Sequence, residues 1–298
     1  MYTEPANKER CTKTALIIRF TRKRNKLFFC FWHTISKRNG GVYTMDRVFV
    51  FDEKELKDKF TNDWRIYHDT LRASVSAMCD TIYTTDGSDM PDIRKFISSG
   101  KRVVPVGSLD FVRRMMSDIK GGPFKMRPIE IPDPLRPFVA RPYDIVKGKE
   151  ISEEQIMRGW FIKDADCLKS WTNLLMPARP QDIAPEKHYV VSKYVHFLSE
   201  WRIFVDTGEI IACCNYLGDP VIFPDEGTLR KMVGTYTASG QCPRAYTLDI
   251  GVRGNITEPI EVHSFVSCGL YGAADLIDKR MGDMLDNGIK FYEKKDKT

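Results

Sequence analysis

Six prolines fall between Pro123 and Pro142 of this 298-residue chain. Each fixes its own φ and lacks an amide hydrogen, so the stretch cannot run through a helix interior or a central strand. Residues 123–145 therefore read as an extended connector, and the chain must build its layers on either side of it. The patterns on the two sides differ.

Ahead of the connector, strand and helix signals alternate. DRVFVF at 46–51 is an apolar strand, and DEKELKDKF at 52–60 reads as a polar helix with acids in its first turn. RASVSAMCDTIYTT holds a helix and then a strand. PDIRKFISSG has Pro91 near a helix start and Gly100 where the helix should stop. KRVVPVGS is a buried-type strand, with Ser108 or Asp110 placed to cap FVRRMMSDI. The alternation over residues 45–122 predicts a small open α/β layer.

Behind the connector the strands pair as hairpins, at 159–163, 188–196, 200–206, 209–216, 245–252 and 260–265. One helix, EGTLRKMVGTY, interrupts them, and a helix over 272–287 closes the chain. Residues 146–298 are thus expected to be α+β with an antiparallel sheet.

Charge is uneven. Residues 1–44 carry ten Lys and Arg against two Glu, while the other 254 residues carry 36 against 38 acids, which together give the net +6. The basicity belongs to the leader, so bulk charge gives the folded body no nucleic-acid footprint. The leader reads either as a basic surface-binding arm or as sequence upstream of a start at Met45. Its apolar run LFFCFW is too short for a membrane span, and no longer apolar run exists elsewhere. The eight cysteines show no CxxC pair, which points to reduced thiols in a cytoplasmic protein.

The chemistry concentrates late in the chain. If the hairpin AYTLDIGV…IEVHSF is centred near Asn255, Asp249 lies opposite Glu261. Facing carboxylates repel on a β-ladder unless a cation such as magnesium sits between them. His263 shares a face with Glu261 and is a third candidate ligand. The other reading is that one strand is out of register and both acids meet solvent. Lys163, Lys169, Lys193 and Arg202 supply cations for phosphate on the same half of the chain. In SEWRIFVD, Glu200 and Arg202 point the same way with Trp201 and Ile203 behind them. No glycine-cradled phosphate loop is present.

Five elements occur in a telling order: FIK (161–163), YVVSKYV (189–195), E-x-R-x-F-V (200–205), TLDIGV, and E-x-H (261–263). Together with Tyr216, Gly218, Asp219 and Pro220, this order resembles the ATP-grasp superfamily, in its phage- and bacteria-associated branch with one Arg and two Lys. The resemblance implies a pre-ATP-grasp α/β layer followed by an α+β ATP-grasp domain. It also implies ATP and magnesium as cofactors, and a ligase joining a carboxylate to an amine through an acyl phosphate.

Carried onto this chain, the resemblance puts Lys163 on the α- or β-phosphate and Lys169 in a loop over the phosphates. Val191, Ser192, Lys193, Tyr194 and Val195 would line the adenine side. Arg202 would meet the γ-phosphate, Arg141 would be a further phosphate contact, and Asp249, Glu261 and His263 would hold the metal. His263 stands where the family commonly has Asn, so a nucleotide-binding protein without turnover is the alternative, with a kinase on the same fold as another. Lys163→Ala or Arg202→Ala is expected to abolish turnover while leaving the melting temperature near that of the native chain.

Overall fold

The computed structural model describes residues 19–23, 26–30, 47–52, 62–77, 81–85, 90–168, 172–173, 178–266 and 268–295. Two strands fall within the basic leader, β1 (Arg19–Lys23) and β2 (Lys26–Cys30), paired antiparallel.

Next come β3 (Arg47–Asp52), α1 (Asn62–Ala77), β4 (Thr81–Thr85), α2 (Met90–Ser98), β5 (Arg102–Val106) and α3 (Leu109–Lys120). The expected α/β layer is there, and its three strands form a parallel sheet in the order β4-β3-β5. Val48 to Phe51 are all buried because β3 is central and both its faces are covered. Val48, Val50 and Val103 meet Ile93 of α2 and Phe111 and Met115 of α3. Phe49, Phe51, Val104 and Val106 meet Leu71 and Val75 of α1 on the other side. Burying each such side chain contributes about 1.5–3 kcal/mol. Of the two candidate caps, Ser108 is the one used, accepting from the Phe111 amide at 3.2 Å. The polar helix expected over 52–60 lies, from residue 53 onward, outside the described residues.

The proline-rich stretch does more than connect. Glu130 bridges to Val262, residues 133–138 form a 3-10 helix, and Ile131 and Leu135 are fully packed. Apolar residues between the prolines give the segment a side to bury, while its scarcity of amide donors leaves little to satisfy. It runs directly into a strand missed in the sequence, β6 (Tyr143–Lys147). With α4 (Glu153–Met157), β7 (Phe161–Asp164) and β8 (His188–Ser192), this strand builds a small antiparallel sheet ordered β6-β8-β7. The strand expected over 188–196 stops at Ser192. Its last ladder-like bond runs from the Lys193 amide to Pro142 O at 2.9 Å, beyond which the partner strand β6 is exhausted.

The large sheet follows from β9 (Ser199–Asp206), β10 (Glu209–Gly218), β11 (Ala245–Arg253) and β12 (Ile256–Ser264), in the order β1-β2-β10-β9-β11-β12. On one face, Trp201, Ile203, Val205, Tyr246, Leu248 and Ile250 pack against α5 (Glu226–Ala238). On the other, Phe204, Ala245 and Phe265 join the cluster that holds the last helix. That helix is not the single one expected over 272–287 but a short α6 (Ala274–Ile277) and a long α7 (Met281–Lys295). Positive φ at Tyr271 and Gly272 blocks an earlier start. Met281, Leu285, Ile289 and Tyr292 carry the buried stripe past residue 287, so the helix runs on to Lys295. Among the described residues no helix is long and apolar enough to cross a membrane.

Candidate active site

The hairpin β11–β12 decides the site. Its turn is Gly254-Asn255, with Gly254 at φ 55° and Arg253 paired to Ile256. The return strand starts at residue 256 rather than 260, and Pro259 is tolerated because β12 is an edge strand beside a bulge. From this turn a regular ladder would set Asp249 opposite Ile260. A bulge between Asp249 and Ile250 leaves Ile260 as the extra residue, so that Asp249 does pair with Glu261. The expected pairing is present, then, through a two-residue turn plus a bulge rather than through symmetry about Asn255.

The same rung continues across the sheet. Asp249 is also the register partner of Arg202 on β9, so Arg202, Asp249 and Glu261 stand side by side on three adjacent strands. Arg202 donates from Nε and Nη2 to the two Asp249 oxygens at 2.8 and 2.7 Å, and both residues are buried. Burial opposes the guanidinium charge, but the Asp249 carboxylate outweighs it and raises the Arg202 pKa further. Tyr216 and Tyr271 stack with ring centroids 5.2 Å apart, and the guanidinium carbon lies 5.8 and 5.1 Å from the two rings. Glu200 does share the Arg202 face, yet it takes its hydrogen bond from Tyr216 Oη at 2.7 Å. Burial lifts the Glu200 pKa, and the nearby Asp249 and Glu261 charges add to the rise. Trp201 lies behind, fully buried, its indole nitrogen 3.0 Å from both Ser199 Oγ and Ile222 O.

Lys163 closes the site from β7 of the small sheet. Its ammonium donates to Glu261 at 2.7 Å and to Glu130 Oε2 at 3.1 Å, with Glu130 Oε1 at 3.0 Å. Burial works against this charge, but Glu261 and Glu130 together raise the Lys163 pKa. Glu261 also lies 2.6 Å from His263 Nε2. Its burial penalty is overcome by His263 and Lys163, which hold the carboxyl well below the ordinary range. Glu130 was missed in the sequence. Its only signal there is an acid bracketed by two isoleucines, Ile129 and Ile131, which obliges a buried partner.

The remaining expected residues are distributed differently. Val191 and Ser192 are buried within β8, whereas Lys193 and Tyr194 are exposed just beyond it, followed by half-buried Val195. Arg141 is not open to a phosphate. It pairs with buried Glu258 at 2.9 Å, donates to Ser192 Oγ and Pro259 O, and covers the Phe197 ring. A side chain at Gly251 would strike that ring at 2.3 Å, so the glycine keeps β11 and the 193–198 segment together. Lys169 lies outside the described residues.

Among the described residues no three His, Cys, Asp or Glu side chains converge as a metal site. Glu261 and His263 touch, but Asp249 is turned to Arg202. The donor chemistry still suits a hard divalent ion. Two carboxylates stand on one rung, each neutralised by a cation of the kind that phosphate would attract.

Residues 138–276 match the family model described as ATP-grasp domain, R-2K clade, family 2. Among solved structures, D-alanine–D-alanine ligase from Bacillus anthracis complexed with ATP is similar with a TM-score of 0.51 and 12% identity, over 84% of this chain and 99% of that one. The macrocyclase MdnC from Microcystis aeruginosa MRC, bound with precursor peptide MdnA, gives 0.45 and 11%, over 81% and 99%. The ATP-grasp ligase PsnB, complexed with precursor peptide PsnA2 and AMPPNP, gives 0.41 and 10%, over 86% and 100%. No curated protein matches the chain in sequence. The chain has the ATP-grasp fold, and its residues 138–276 carry the match to that clade.

Proposed function

We propose that the protein is an ATP-dependent ligase joining a carboxylate to an amine. The terminal phosphoryl group of ATP passes to the carboxylate, giving an acyl phosphate and ADP. The amine then attacks the acyl carbon, an amide forms, and phosphate leaves. The observation that carries this reading is the single rung Arg202–Asp249–Glu261 with Lys163 reaching it from the facing sheet.

In this scheme Lys163 binds the α- or β-phosphate, and Lys169 lies in the loop above. Val191 to Val195 border the adenine, with Lys193 near the ribose. Arg202 stabilises the charge that builds on the transferred group, already desolvated and held in place by Asp249. Asp249 and Glu261, with His263 beside them, would hold magnesium, which neutralises phosphate charge when bound. Arg141 positions the Ser192 end of β8 against β12 rather than touching phosphate. The phage- and bacteria-associated branch, and a cytoplasmic place of action, belong to the same proposal.

A second reading has an observation of its own. His263 takes one oxygen of Glu261 at 2.6 Å, an oxygen that a metal would need, which favours a nucleotide-binding protein without turnover. ADP release measured with a mixture of amino acids and peptides separates the two, with mass spectrometry to find the product. Substrate-dependent ADP and a new amide support the ligase. ATP binding without such ADP supports the second reading, and phosphorylation of a hydroxyl without ligation would make the protein a kinase.

A further inference from the structure

The Lys163 ammonium is shared by two buried or half-buried carboxylates, and the two are not equivalent. Glu261 belongs to the central rung. Glu130 comes from the proline-rich segment, far away in sequence, and is held there with unusual firmness. Its φ is 59°, the left-handed region that a glutamate rarely adopts. Its carbonyl accepts from the Val262 amide at 2.9 Å, fixing it to the outer edge of β12. Ile131 packs fully into the core, and its amide donates to Tyr143 Oη at 3.2 Å. Glu130 is only 4% exposed. A backbone conformation of this kind persists only where its surroundings enforce it, and what it delivers here is one carboxylate to one lysine.

We propose that Glu130 is a positioning residue that latches Lys163 in the nucleotide-free protein and competes with phosphate for its ammonium. The proposal rests on the ATP reading above. An ammonium has three hydrogens to give. In the latched state one goes to Glu130 Oε2 at 3.1 Å and one to Glu261 Oε2 at 2.7 Å, so a phosphate that draws the ammonium toward itself pulls it away from these partners. Glu130 is the one displaced, because Glu261 remains in the rung beside Asp249. Part of the binding free energy of the nucleotide is therefore spent on opening the Glu130–Lys163 pair.

Calorimetric titration of the full chain with magnesium and a non-hydrolysable ATP analogue tests this on the native protein, Glu130→Gln and Glu130→Asp. Glu130→Gln should bind about tenfold more tightly, the order expected from losing one charge-assisted competitor. Glu130→Asp keeps the charge but, on a fixed backbone, no longer reaches Lys163. It should tighten binding too, by a smaller factor. In turnover both variants should lower KM for ATP with little change in kcat. A merely structural Glu130 would move affinity the other way, so equal or weaker binding by Glu130→Gln overturns the latch. So does a tighter Gln variant beside an Asp variant that behaves as native, since that pattern is a field effect across space. If the Gln variant fails to fold by circular dichroism, Glu130→Asp alone decides. A folded native chain that binds no nucleotide removes the ATP reading itself, and the latch with it.

Discussion

Two buried acids, both surrounded by charge, have opposite characters. Asp286 on α7 lies 2.6 Å from Arg102, 2.8 Å from Lys290 and 3.6 Å from Arg47, so that one carboxylate faces three cations. Burial raises its pKa, but Arg102 and Lys290 more than compensate and the net shift is downward. Glu130 faces one cation, Lys163, which it shares with Glu261, with His263 nearby. There burial dominates, Lys163 only partly offsets it, Glu261 adds to the rise, and the net shift is upward. The Asp286 cluster, between the last helix and the parallel sheet, is balanced for cohesion. The Glu130 cluster is short of positive charge before any ligand arrives. A buried acid left under-compensated marks a place where a charged ligand changes the balance.

The comparison breaks most readily at Asp286. Asp286→Ala should cost about 3 kcal/mol of unfolding free energy, because it removes the buried carboxylate shared by Arg102, Lys290 and Arg47, although Arg102 keeps Glu293 at 3.0 Å. A urea melt that shifts by less than about 1 kcal/mol would show that the cluster does not hold the layers together. Arg202→Ala should lower ATP turnover by about 100-fold or more. Contrary to the expectation from sequence, it should also lower the melting temperature, since Asp249 is left buried without its bidentate partner. Lys163→Met should lose turnover by a similar factor and should also lower the melting temperature, since Glu130 is left buried without its cation.

The pH dependence sharpens the contrast. A folded pKa depressed below 3.8 means that Asp286 stabilises the protein above that value, and that this stability is lost as pH falls through the folded pKa. A folded pKa raised above 4.5 means that ionised Glu130 carries a penalty at neutral pH, relieved as pH falls through the folded pKa toward 4.5. Asp286→Asn should therefore destabilise at neutral pH, with the gap to the native chain closing below 3.8. Glu130→Gln should leave stability unchanged or raise it by up to roughly 1 kcal/mol at neutral pH, with the gap closing toward 4.5. Denaturation midpoints that move in the same direction for both variants would erase the distinction. The smallest effect is expected from His263→Asn, which frees one Glu261 oxygen and should strengthen magnesium-dependent nucleotide binding by a few fold. Unchanged affinity would remove His263 from the site.

Much of this was legible along the chain, because local pattern encodes it. Period-two alternation fixed which residues of SEWRIFVD share a face, and the βαβα rhythm before the prolines pointed to the open α/β layer. The order of FIK, EWR, LDIG and EVH was enough to suggest the fold. Other features needed contacts distant in sequence. Whether Asp249 meets Glu261 depended on a one-residue bulge, and a shift of one residue turns a side chain to the opposite face. Arg141 could be read as a phosphate ligand until buried Glu258 was seen beside it, and Glu130 was hidden among prolines.

What the sequence by itself determined is the inventory: two unlike layers flanking a proline-rich segment, and a set of acids and cations on known strand faces. The tertiary structure alone decided the pairing: Asp249 with Arg202, Glu261 with Lys163, and Glu130 brought to that same lysine from more than thirty residues away. The physical reason is that alternation and propensity act over a few residues, whereas the energy of a charge is set by its desolvation and its nearest counter-charges. Folding chooses those neighbours from anywhere in the chain.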